Sequence, residues 1–403
     1  MNIKMKKIFY LDNAATTPVN ENVAKKIQQI MASSYGNASS IHQIGRNSRT
    51  AIENAREKIA KFINAEPEEI IFTSGGTESN NLAIRGVAIA NQEKKHIITS
   101  QIEHPAVLET CKSLEKQGYK IDYIKVNEKG IVDVKEIENK ITPNTLLVSI
   151  MQVNNEIGTI QPIEEIAKIC KSKNTFFFTD AVQSFGKIKI DVKKMNIDLL
   201  SVSGHKINAP KGTGFLYIKR GIKIKPIIFG GGQEKSLRSG TENTAGIVGI
   251  ASAIDLKRKH KEVQSARNKL IKEILKIPGS KLNGTAEEGS RIYNNINISF
   301  YGIEGESLAL MLDNYGICVS TGSACSSHKL EESHVLKAIG VDVLYIHGSL
   351  RLTLDTLKPL SDKDIKFIAS KIKESIDKLR KLSPFKLEEN QNKELNPHCN
   401  CGK

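Results

Sequence analysis

The sequence has no tryptophan, few aromatic residues and no long uninterrupted hydrophobic run. A membrane-spanning helix needs roughly 18 consecutive apolar residues, and no segment approaches that length, so no membrane association is predicted. The 6 cysteines are too sparse among 403 residues for a disulfide scaffold, and they fit a reducing compartment better. Residues 1–7 carry charges without a following apolar region, so we expect no secretory leader and a cytoplasmic protein.

Acidic residues are fewer than basic ones, at 44 against 59, which leaves a formal net charge of +15. Charges of both signs are interspersed along the predicted helices, a pattern typical of a solvated face. No basic block interleaved with aromatic side chains occurs, although nucleic-acid-binding surfaces commonly have one. We therefore expect no direct nucleic-acid binding, and a non-catalytic RNA-binding module is the alternative from a different functional class.

Short β-rich apolar runs alternate with amphipathic segments between about residues 45 and 260. This alternation predicts parallel βαβ units, and hence an α/β fold with a largely parallel sheet covered on both faces. In such sheets the functional side chains lie where strands end. The clearest predicted strands are His96–Ser100, Leu146–Val153, Leu199–Ser203 and Gly214–Ile218.

The pattern changes after residue 260, where long charged helices and a few short strands predict a smaller α+β domain. We therefore predict a large cofactor-binding domain over residues 15–260 and a small domain formed by residues 1–14 and 261–387. Residues 388–403 are polar and lack periodicity, so we predict a mobile C-terminal tail there.

A glycine-rich segment, Thr73–Asn80, follows a predicted strand and opens a predicted helix. Its two glycines and small hydroxyl residues allow backbone N–H groups to converge on an anion at a helix N-terminus, where the helix dipole also favours negative charge. A plain glycine turn with a Ser or Thr N-cap explains the segment equally well when it is taken alone.

Two further polar side chains follow buried strands, Asp180 after Phe176–Thr179 and Lys206 after Leu199–Ser203. A carboxylate at such a place needs a cationic partner, because burial of an unpaired charge is costly. A lysine there has the environment that lowers an amine pKa for Schiff-base chemistry. A phosphate-binding turn, a buried acid and a strand-end lysine are together typical of a pyridoxal-phosphate site.

A series of ordered motifs runs over nearly the whole chain: Tyr10–Pro18, Phe72–Asn80, Glu103–Val107, Val153–Gly158, Ser203–Lys206, Gly230–Asn243 and Thr321–Cys325. With these motifs the sequence resembles the cysteine desulfurases of the NifS/IscS type, which are class-V aminotransferase-like enzymes of pyridoxal-phosphate fold type I. The resemblance implies conversion of L-cysteine to L-alanine. It also implies transfer of the sulfur, as a persulfide, to acceptor proteins for iron–sulfur cluster assembly or other thiolation.

The resemblance implies a role for each matching position in the cofactor site. Lys206 is implied to attach the pyridoxal 5'-phosphate, Asp180 to keep its ring nitrogen protonated, and Gln183 to bind its ring hydroxyl. His104 is implied to stack on the ring and to assist proton transfers. Thr241 is implied to reach the phosphate of a neighbouring subunit, so we expect a homodimer. The other residues implied to line the phosphate are Gly76, Thr77, Ser203 and His205.

Asn155 and Arg351 are implied to hold the carboxylate of the substrate, L-cysteine. A planar guanidinium group is well suited to that task, because it binds a carboxylate through two parallel hydrogen bonds. No firm metal site is predicted. The resemblance allows Cys325 to share a transient iron–sulfur cluster with a scaffold partner.

Cys325 is implied to be the nucleophile that takes the sulfur. It lies among small, polar residues without apolar periodicity, so we predict that it lies on a mobile surface loop. The other cysteines of the folded region lie in predicted helices or beside a predicted strand and are expected to be core residues. They are Cys111, Cys170 and Cys318.

Other interpretations stay open at this point. A selenocysteine lyase, a kynureninase-like hydrolase or an aminotransferase of the same fold would share the cofactor residues, but none of them needs Cys325 on an exposed loop. The acceptor is open among a nitrogenase-linked scaffold, a general iron–sulfur scaffold and a tRNA-thiolation protein. For Cys399 and Cys401 incidental thiols in a disordered tail are favoured over metal binding or sulfur relay, because a closed metal site needs four ligands.

Overall fold

A seven-stranded sheet forms the centre of the computed structural model, which describes residues 7–321 and 332–385. Five neighbouring strands run parallel, and one strand runs antiparallel to both of its neighbours. The predicted α/β fold with a largely parallel sheet is therefore confirmed. In order across the sheet, the strands are β2 (Ile70–Thr73), β8 (Gly214–Ile218), β7 (Leu199–Ser203), β6 (Phe176–Asp180), β5 (Thr145–Ser149), β3 (His96–Ser100) and β4 (Lys120–Ile124).

Strand β8 is the antiparallel strand of this sheet. Its bounds agree with the sequence pattern, but the pattern carries no signal for its direction. Residues 204–213 join β7 to β8 and contain the 3₁₀ turn Gly204–Lys206. A parallel connection needs a crossover of a dozen or more residues. The chain therefore folds back, and Val202 pairs with Phe215 in an antiparallel ladder.

The strand predicted over Leu146–Val153 ends earlier than expected, at Ser149. Beyond it the backbone N–H of Met151 donates to the Glu103 carboxylate at 3.0 Å, and the N–H of Gln152 donates to the carbonyl of Asp180 at 3.0 Å. The apolar run continues because this segment is also buried, and not because the strand continues. These residues form part of the carboxyl edge of the sheet.

Alternate residues of the central strands enter two separate hydrophobic clusters, one on each face of the sheet. Phe177 and Leu200 belong to one cluster, and Phe178 and Leu199 belong to the other, as the two-residue period of a strand requires. No helix that the structure describes is both long and apolar enough to cross a membrane. The helices of this part are α1 (Glu21–Ser33), α2 (Gln43–Ile63), α3 (Gly76–Ala90), α4 (Pro105–Glu115), α5 (Val134–Lys140), α6 (Ile163–Ser172) and α7 (Thr244–Ala253).

A second, antiparallel sheet contains β12 (Ser349–Thr353), β10 (Asn295–Phe300) and β9 (Ser280–Leu282), in that order. A third hydrophobic cluster joins this sheet to the helices beside it. The predicted domain boundaries stay a prediction. The other elements are β1 (Phe9–Tyr10), α8 (His260–Ile274), α9 (Gly305–Asp313), β11 (Ile317–Cys318), α10 (His334–Ala338), α11 (Val343–Ile346) and α12 (Asp362–Leu382).

The N-terminal segment reaches both sheets. Strand β1 pairs in parallel with β11, and the N–H of Asn13 donates to the carbonyl of Thr353 in β12. A few residues further on, the N–H of Thr17 donates at 2.8 Å to the carbonyl of His205 beside β7. Residues 9–17 therefore run across the junction between the two sheets.

Candidate active site

A cavity of about 230 Å³ lies at the carboxyl edge of the large sheet, where β6 and β7 end. Its walls come from distant parts of the chain, since parallel strands bring the segments that follow them to one edge. The lining residues are Ala14, Ala15, Gly76, Thr77, Asn80, His104, Met151, Asn155, Asp180, Val182, Gln183, Ser203, His205, Lys206 and Arg351.

Ten of the twelve predicted site residues therefore line one cavity, and two do not. Thr241 is exposed in the single chain, on the segment that precedes α7. Cys325 lies outside the described residues, and so do Cys399 and Cys401 with the rest of the predicted tail.

Lys206 ends the 3₁₀ turn that follows β7. Its Nζ donates to the carbonyl oxygens of Ala14 and Ala15, at 2.5 and 2.6 Å. The turn brings the amine to the cavity, and the N-terminal segment supplies these two neutral acceptors. The Lys206 amine thus lies where the N-terminal segment meets the large sheet.

Asp180 is the last residue of β6 and is 5% exposed. Its Oδ1 accepts the N–H of Val182 at 2.9 Å, and its Oδ2 accepts the Asn80 side-chain amide at 2.8 Å. In the part of the chain that the structure describes, no lysine or arginine forms an ion pair with it. A buried carboxylate that faces a cavity in this way fits a cationic group bound there.

Helix α3 begins beside the cavity at Gly76, and no side chain caps its N-terminus. The first N–H groups of a helix need acceptors from outside the helix. The backbone comes close to its surroundings here: a Cβ added to Gly76 would lie 2.8 Å from Cγ2 of Val182. Gly75, before the helix, has a φ of 153°, which favours glycine. An anion at this end of the cavity would satisfy the free N–H groups.

His104 caps the N-terminus of α4, because its Nδ1 accepts the backbone N–H of Ala106 at 3.1 Å. Burial lowers the pKa of the imidazole, the Asp180 carboxylate opposes that shift, and the charges of Lys206 and His334 add to it. The ring is therefore neutral at neutral pH. With Nδ1 acting as an acceptor, the proton is on Nε2.

His205 also lines the cavity, and its Nδ1 lies 3.1 Å from the hydroxyl of Thr16. Burial, together with the charges of Lys206, Lys211 and Lys187, lowers its pKa to about 4. The same positive charges favour a bound anion. The cavity therefore combines helix N–H groups with a positive potential.

Arg351 in β12 brings a guanidinium group to the cavity, and the residue is 2% exposed. One terminal nitrogen forms an ion pair with Asp12 at 2.9 Å, and the other donates to the carbonyl of Asn155 at 3.2 Å. Its Nε is buried and has no hydrogen-bond partner. An unpaired buried donor of this kind fits a carboxylate ligand.

Two buried carboxyl groups behind the cavity were not predicted from the sequence. Burial raises the pKa of Glu103 to about 8 and that of Glu156 to about 7. Glu103 accepts hydrogen bonds from Ser100 and from the N–H of Met151, and Glu156 accepts one from Ser333 at 2.5 Å. Both residues adjoin predicted site residues in sequence, and that adjacency was the only available signal.

The three cysteines in the described ranges have raised pKa values. Burial raises the pKa of Cys111 and of Cys170 to about 12, and it raises that of Cys318 to a lesser extent. Cys111 and Cys170 are buried, as predicted, whereas Cys318 is only partly buried. None of these thiols has the environment of a reactive nucleophile.

The residues around the cavity fit pyridoxal phosphate. A buried carboxylate with no lysine or arginine ion-pair partner among the described residues matches the ring nitrogen, an uncapped helix N-terminus matches the phosphate, and a lysine amine lines the same cavity. The profile of the class-V aminotransferases matches residues 9–355. The chain belongs to the class-V aminotransferase family. Members of this family need the parts that the cavity provides.

Similar proteins show to which group of the class-V aminotransferase family the chain belongs. The cysteine desulfurase IscS of Methanosarcina thermophila is 50% identical over 385 residues, which covers 94% of each chain. A solved NifS-like protein has a TM-score of 0.86 and 39% identity, with 93% of this chain and 100% of the other covered. The predicted assignment to the pyridoxal-phosphate-dependent cysteine desulfurases is therefore confirmed.

A solved structure of SspA in complex with cysteine is also similar. Its TM-score is 0.79 and its identity 37%, over 87% of this chain and 100% of the other. The fold is thus shared over most of this chain. The predicted fold type and cofactor class are confirmed, while the role of each residue stays a prediction.

Proposed function

We propose that the protein converts L-cysteine to L-alanine and carries the released sulfur as a persulfide on Cys325. The observation that supports this most is the cavity in which Lys206, Asp180 and His104 face a half-paired guanidinium, that of Arg351. A cofactor site and a carboxylate site therefore share one small volume, as an amino-acid substrate requires.

The cofactor would be held by residues from three elements. Asp180 would pair with the ring nitrogen, Gln183 with the ring hydroxyl, and the amine of Lys206 with the reactive carbon. The phosphate would lie at the N-terminus of α3, beside Gly76, Thr77, Ser203 and His205. When bound, pyridoxal phosphate supplies an electron sink for the carbon that loses a proton.

The substrate carboxylate would bind to Arg351 and Asn155. Asp12 holds the guanidinium from one side, and the Asn155 carbonyl holds it from the other, so Nε is free to donate to a carboxylate oxygen. Because the group is already oriented, little side-chain entropy would be lost on binding.

Two groups would handle protons. The Nζ of Lys206, once free, would take the α-proton of the bound cysteine, because it lies in the same cavity as the carboxylate site. His104, neutral and with its proton on Nε2, would assist by donating a hydrogen bond from Nε2 to the bound substrate, without adding a positive charge next to Lys206.

Sulfur transfer would occur on Cys325. Its thiolate attacks the substrate sulfur, a new S–S bond forms, and the bond between that sulfur and the substrate Cβ breaks with its electron pair kept on carbon. A proton then replaces the sulfur on that carbon, which gives alanine. The raised pKa values of Cys111, Cys170 and Cys318 support this choice, because a thiol must ionise to attack.

The functional unit would be a homodimer. Large apolar side chains are exposed in the single chain on residues 31–41 and at residue 229, on the segment that leads to Thr241, and exposed apolar side chains of this size favour a protein–protein interface. Thr241 would then reach the phosphate site of the second copy. The side chains are Met31, Tyr35, Ile41 and Phe229, exposed by 65%, 73%, 88% and 81%.

The sulfur would pass to a protein acceptor in the cytoplasm, such as a scaffold for iron–sulfur cluster assembly. The net charge of +15 would favour an acidic acceptor surface. With a scaffold, Cys325 would share a transient cluster as a cargo ligand. Direct binding to nucleic acid is not part of this function.

The Lys206→Ala variant tests the assignment. We expect the visible absorbance of the lysine-linked cofactor to disappear and alanine formation from cysteine to fall by at least about 1000-fold. Cys325→Ser should keep the absorbance but form no protein persulfide, as measured by mass spectrometry. Alanine release at the normal rate by Lys206→Ala would contradict the proposal, and persulfide on another cysteine would contradict the role of Cys325.

A further inference from the structure

Lys187 is a second lysine near the cavity that the chemistry above does not use. It follows the turn after β6 and is only 4% exposed. Its Nζ donates to the backbone carbonyl of Gln183 at 3.0 Å and contacts Oε1 of the Gln183 side chain at 3.4 Å. Among residues 7–321 and 332–385 it has no acidic partner. An ammonium group is therefore buried against neutral oxygens alone.

This burial is unfavourable for the charged side chain. Desolvation, together with the charges of Lys206 and Arg258, lowers the pKa of Lys187 to about 7. The positive charge of Lys187 also lowers the pKa of His205. A methionine of similar length would fill the same space without this penalty. Packing alone therefore does not explain a lysine at this position.

The contacts of Lys187 define which way the Gln183 amide points. An ammonium group has donors and no acceptor, so it can approach only the oxygen end of the amide. The nitrogen end then points away from it, and Nε2 donates to the carbonyl of Ala14 at 3.0 Å. The amide carries a second N–H, and Gln183 lines the cavity.

We propose that Lys187 is a positioning residue of the cofactor site, which holds the Gln183 amide with its N–H groups towards the ring oxygen of bound pyridoxal phosphate. The inference rests on the proposed contact between Gln183 and that oxygen. Without Lys187 only the bond from Nε2 to the Ala14 carbonyl holds the amide in this orientation, so the amide turns its oxygen towards the ring oxygen more often, and two acceptors then face each other.

The protonation of the lysine-linked cofactor reports this contact. A hydrogen bond donated to the negatively charged ring oxygen makes that oxygen a weaker acceptor for the proton on the linkage nitrogen. The nitrogen therefore loses this proton at a lower pH. The loss of the bond therefore raises the midpoint of the pH-dependent change in visible absorbance. A positive charge on Lys187 also lowers this midpoint, because it disfavours a second positive charge on the linkage nitrogen nearby.

The test is a spectrophotometric pH titration of holoenzyme variants. Lys187→Met should raise the midpoint by about one pH unit, and Lys187→Gln, which keeps a donor, should raise it less. Lys189→Met, at an exposed position two residues further on, serves as the matched control and should leave it unchanged. Cofactor content and unfolding temperature, measured in parallel, establish that each variant is folded.

A double-mutant cycle separates positioning from a direct effect of charge. Gln183→Ala alone should raise the midpoint, and Lys187→Met added to it should raise it by clearly less than Lys187→Met does in the wild-type background, because only the direct charge effect is left. An unchanged midpoint in Lys187→Met, or an equal further rise in the Gln183→Ala background, would overturn the inference. Absence of the visible band in the wild-type protein would instead overturn the cofactor assignment, and the inference with it.

Discussion

Glu103 has an unusually high pKa for a carboxyl group next to the candidate active site. It is fully buried, one of its oxygens accepts two hydrogen bonds, and the other oxygen has no partner. Burial raises its pKa to about 8, and the nearby Asp180 carboxylate adds to the rise. The carboxyl group is therefore mostly protonated at neutral pH, which keeps a second negative charge away from Asp180.

This protonation predicts a pH-dependent stability. Between pH 4.5, the ordinary pKa of Glu, and about 8, the folded protein holds a proton on Glu103 that the unfolded chain has lost. The contribution of this group to stability is therefore full below pH 4.5 and falls as the pH rises to 8. Glu103→Gln removes the fall, because an amide does not ionise.

We expect Glu103→Gln to unfold at nearly the wild-type temperature at pH 5, and to be more stable at pH 8.5 by about 1–2 kcal/mol. Thermal unfolding of the apoprotein at the two pH values measures the difference. Glu109→Gln, at an exposed position of α4, is the control and should show no such dependence. A gain of equal size at both pH values would refute the argument.

Most of the residues that line the cavity could be predicted from the sequence, because they occur in recognisable motifs, several of them directly after strands. Glu103, Glu156 and Lys187 could not be assigned roles in this way. Their properties come from burial and from contacts between segments far apart in the chain, such as that of Glu156 with Ser333. Sequence position shows neither the desolvation nor the partner.

Among the elements, the start of α3 leaves little room for a side chain. A methyl group on Gly76 would meet Cγ2 of Val182 at 2.8 Å. The helix N–H groups and the proposed phosphate site lie beside this contact. Either the backbone or the Val182 side chain must therefore shift when residue 76 has a side chain.

We expect Gly76→Ala to weaken pyridoxal-phosphate binding by at least about tenfold, since a shift in the helix N-terminus removes directed N–H groups. Adding Val182→Ala should recover much of the loss, because it removes the methyl group that clashes. Titration of the apoprotein with the cofactor measures both. Val182→Ala alone is the control, and a failure of the double variant to improve on Gly76→Ala would argue against the steric cause.

Element bounds were predicted best where the polar or glycine residues at both ends coincide with the end of pairing. His96–Ser100, Leu199–Ser203 and Gly214–Ile218 agree with the structure. The direction of β8 and the end of β5 could not be predicted. The first depends on the length of a connection, and the second on a buried loop that looks like a strand in composition.

At the scale of the whole molecule, the single chain exposes several large apolar side chains, and Phe229 is one of them. We expect Phe229→Glu to shift a dimer towards monomer and to raise its dissociation constant by about 100-fold, since a buried aromatic anchor contributes about 2 kcal/mol or more. Sedimentation velocity measures the change. Cofactor retention should fall in parallel, because Thr241 would no longer reach the second copy.

Leu310→Glu is the matched control for this prediction. Leu310 is 71% exposed on α9 and lies far in sequence from residues 31–41 and 228–241. It should leave the mass and the cofactor content unchanged. A Phe229→Glu protein that stays dimeric, or a wild-type protein that is monomeric at micromolar concentration, would contradict the proposed interface.

The N-terminal segment has a consequence for the order of events during biosynthesis. Tyr10 pairs with Cys318, Asp12 binds Arg351, and Ala14 accepts a hydrogen bond from Lys206. The segment leaves the ribosome first, yet its partners are synthesised much later. A nascent chain that ends before residue 351 lacks one wall of the cavity, even when the large sheet has formed. Full loading with cofactor and substrate is thus possible only after nearly all of the chain has been translated, which prevents sulfur release by incomplete chains.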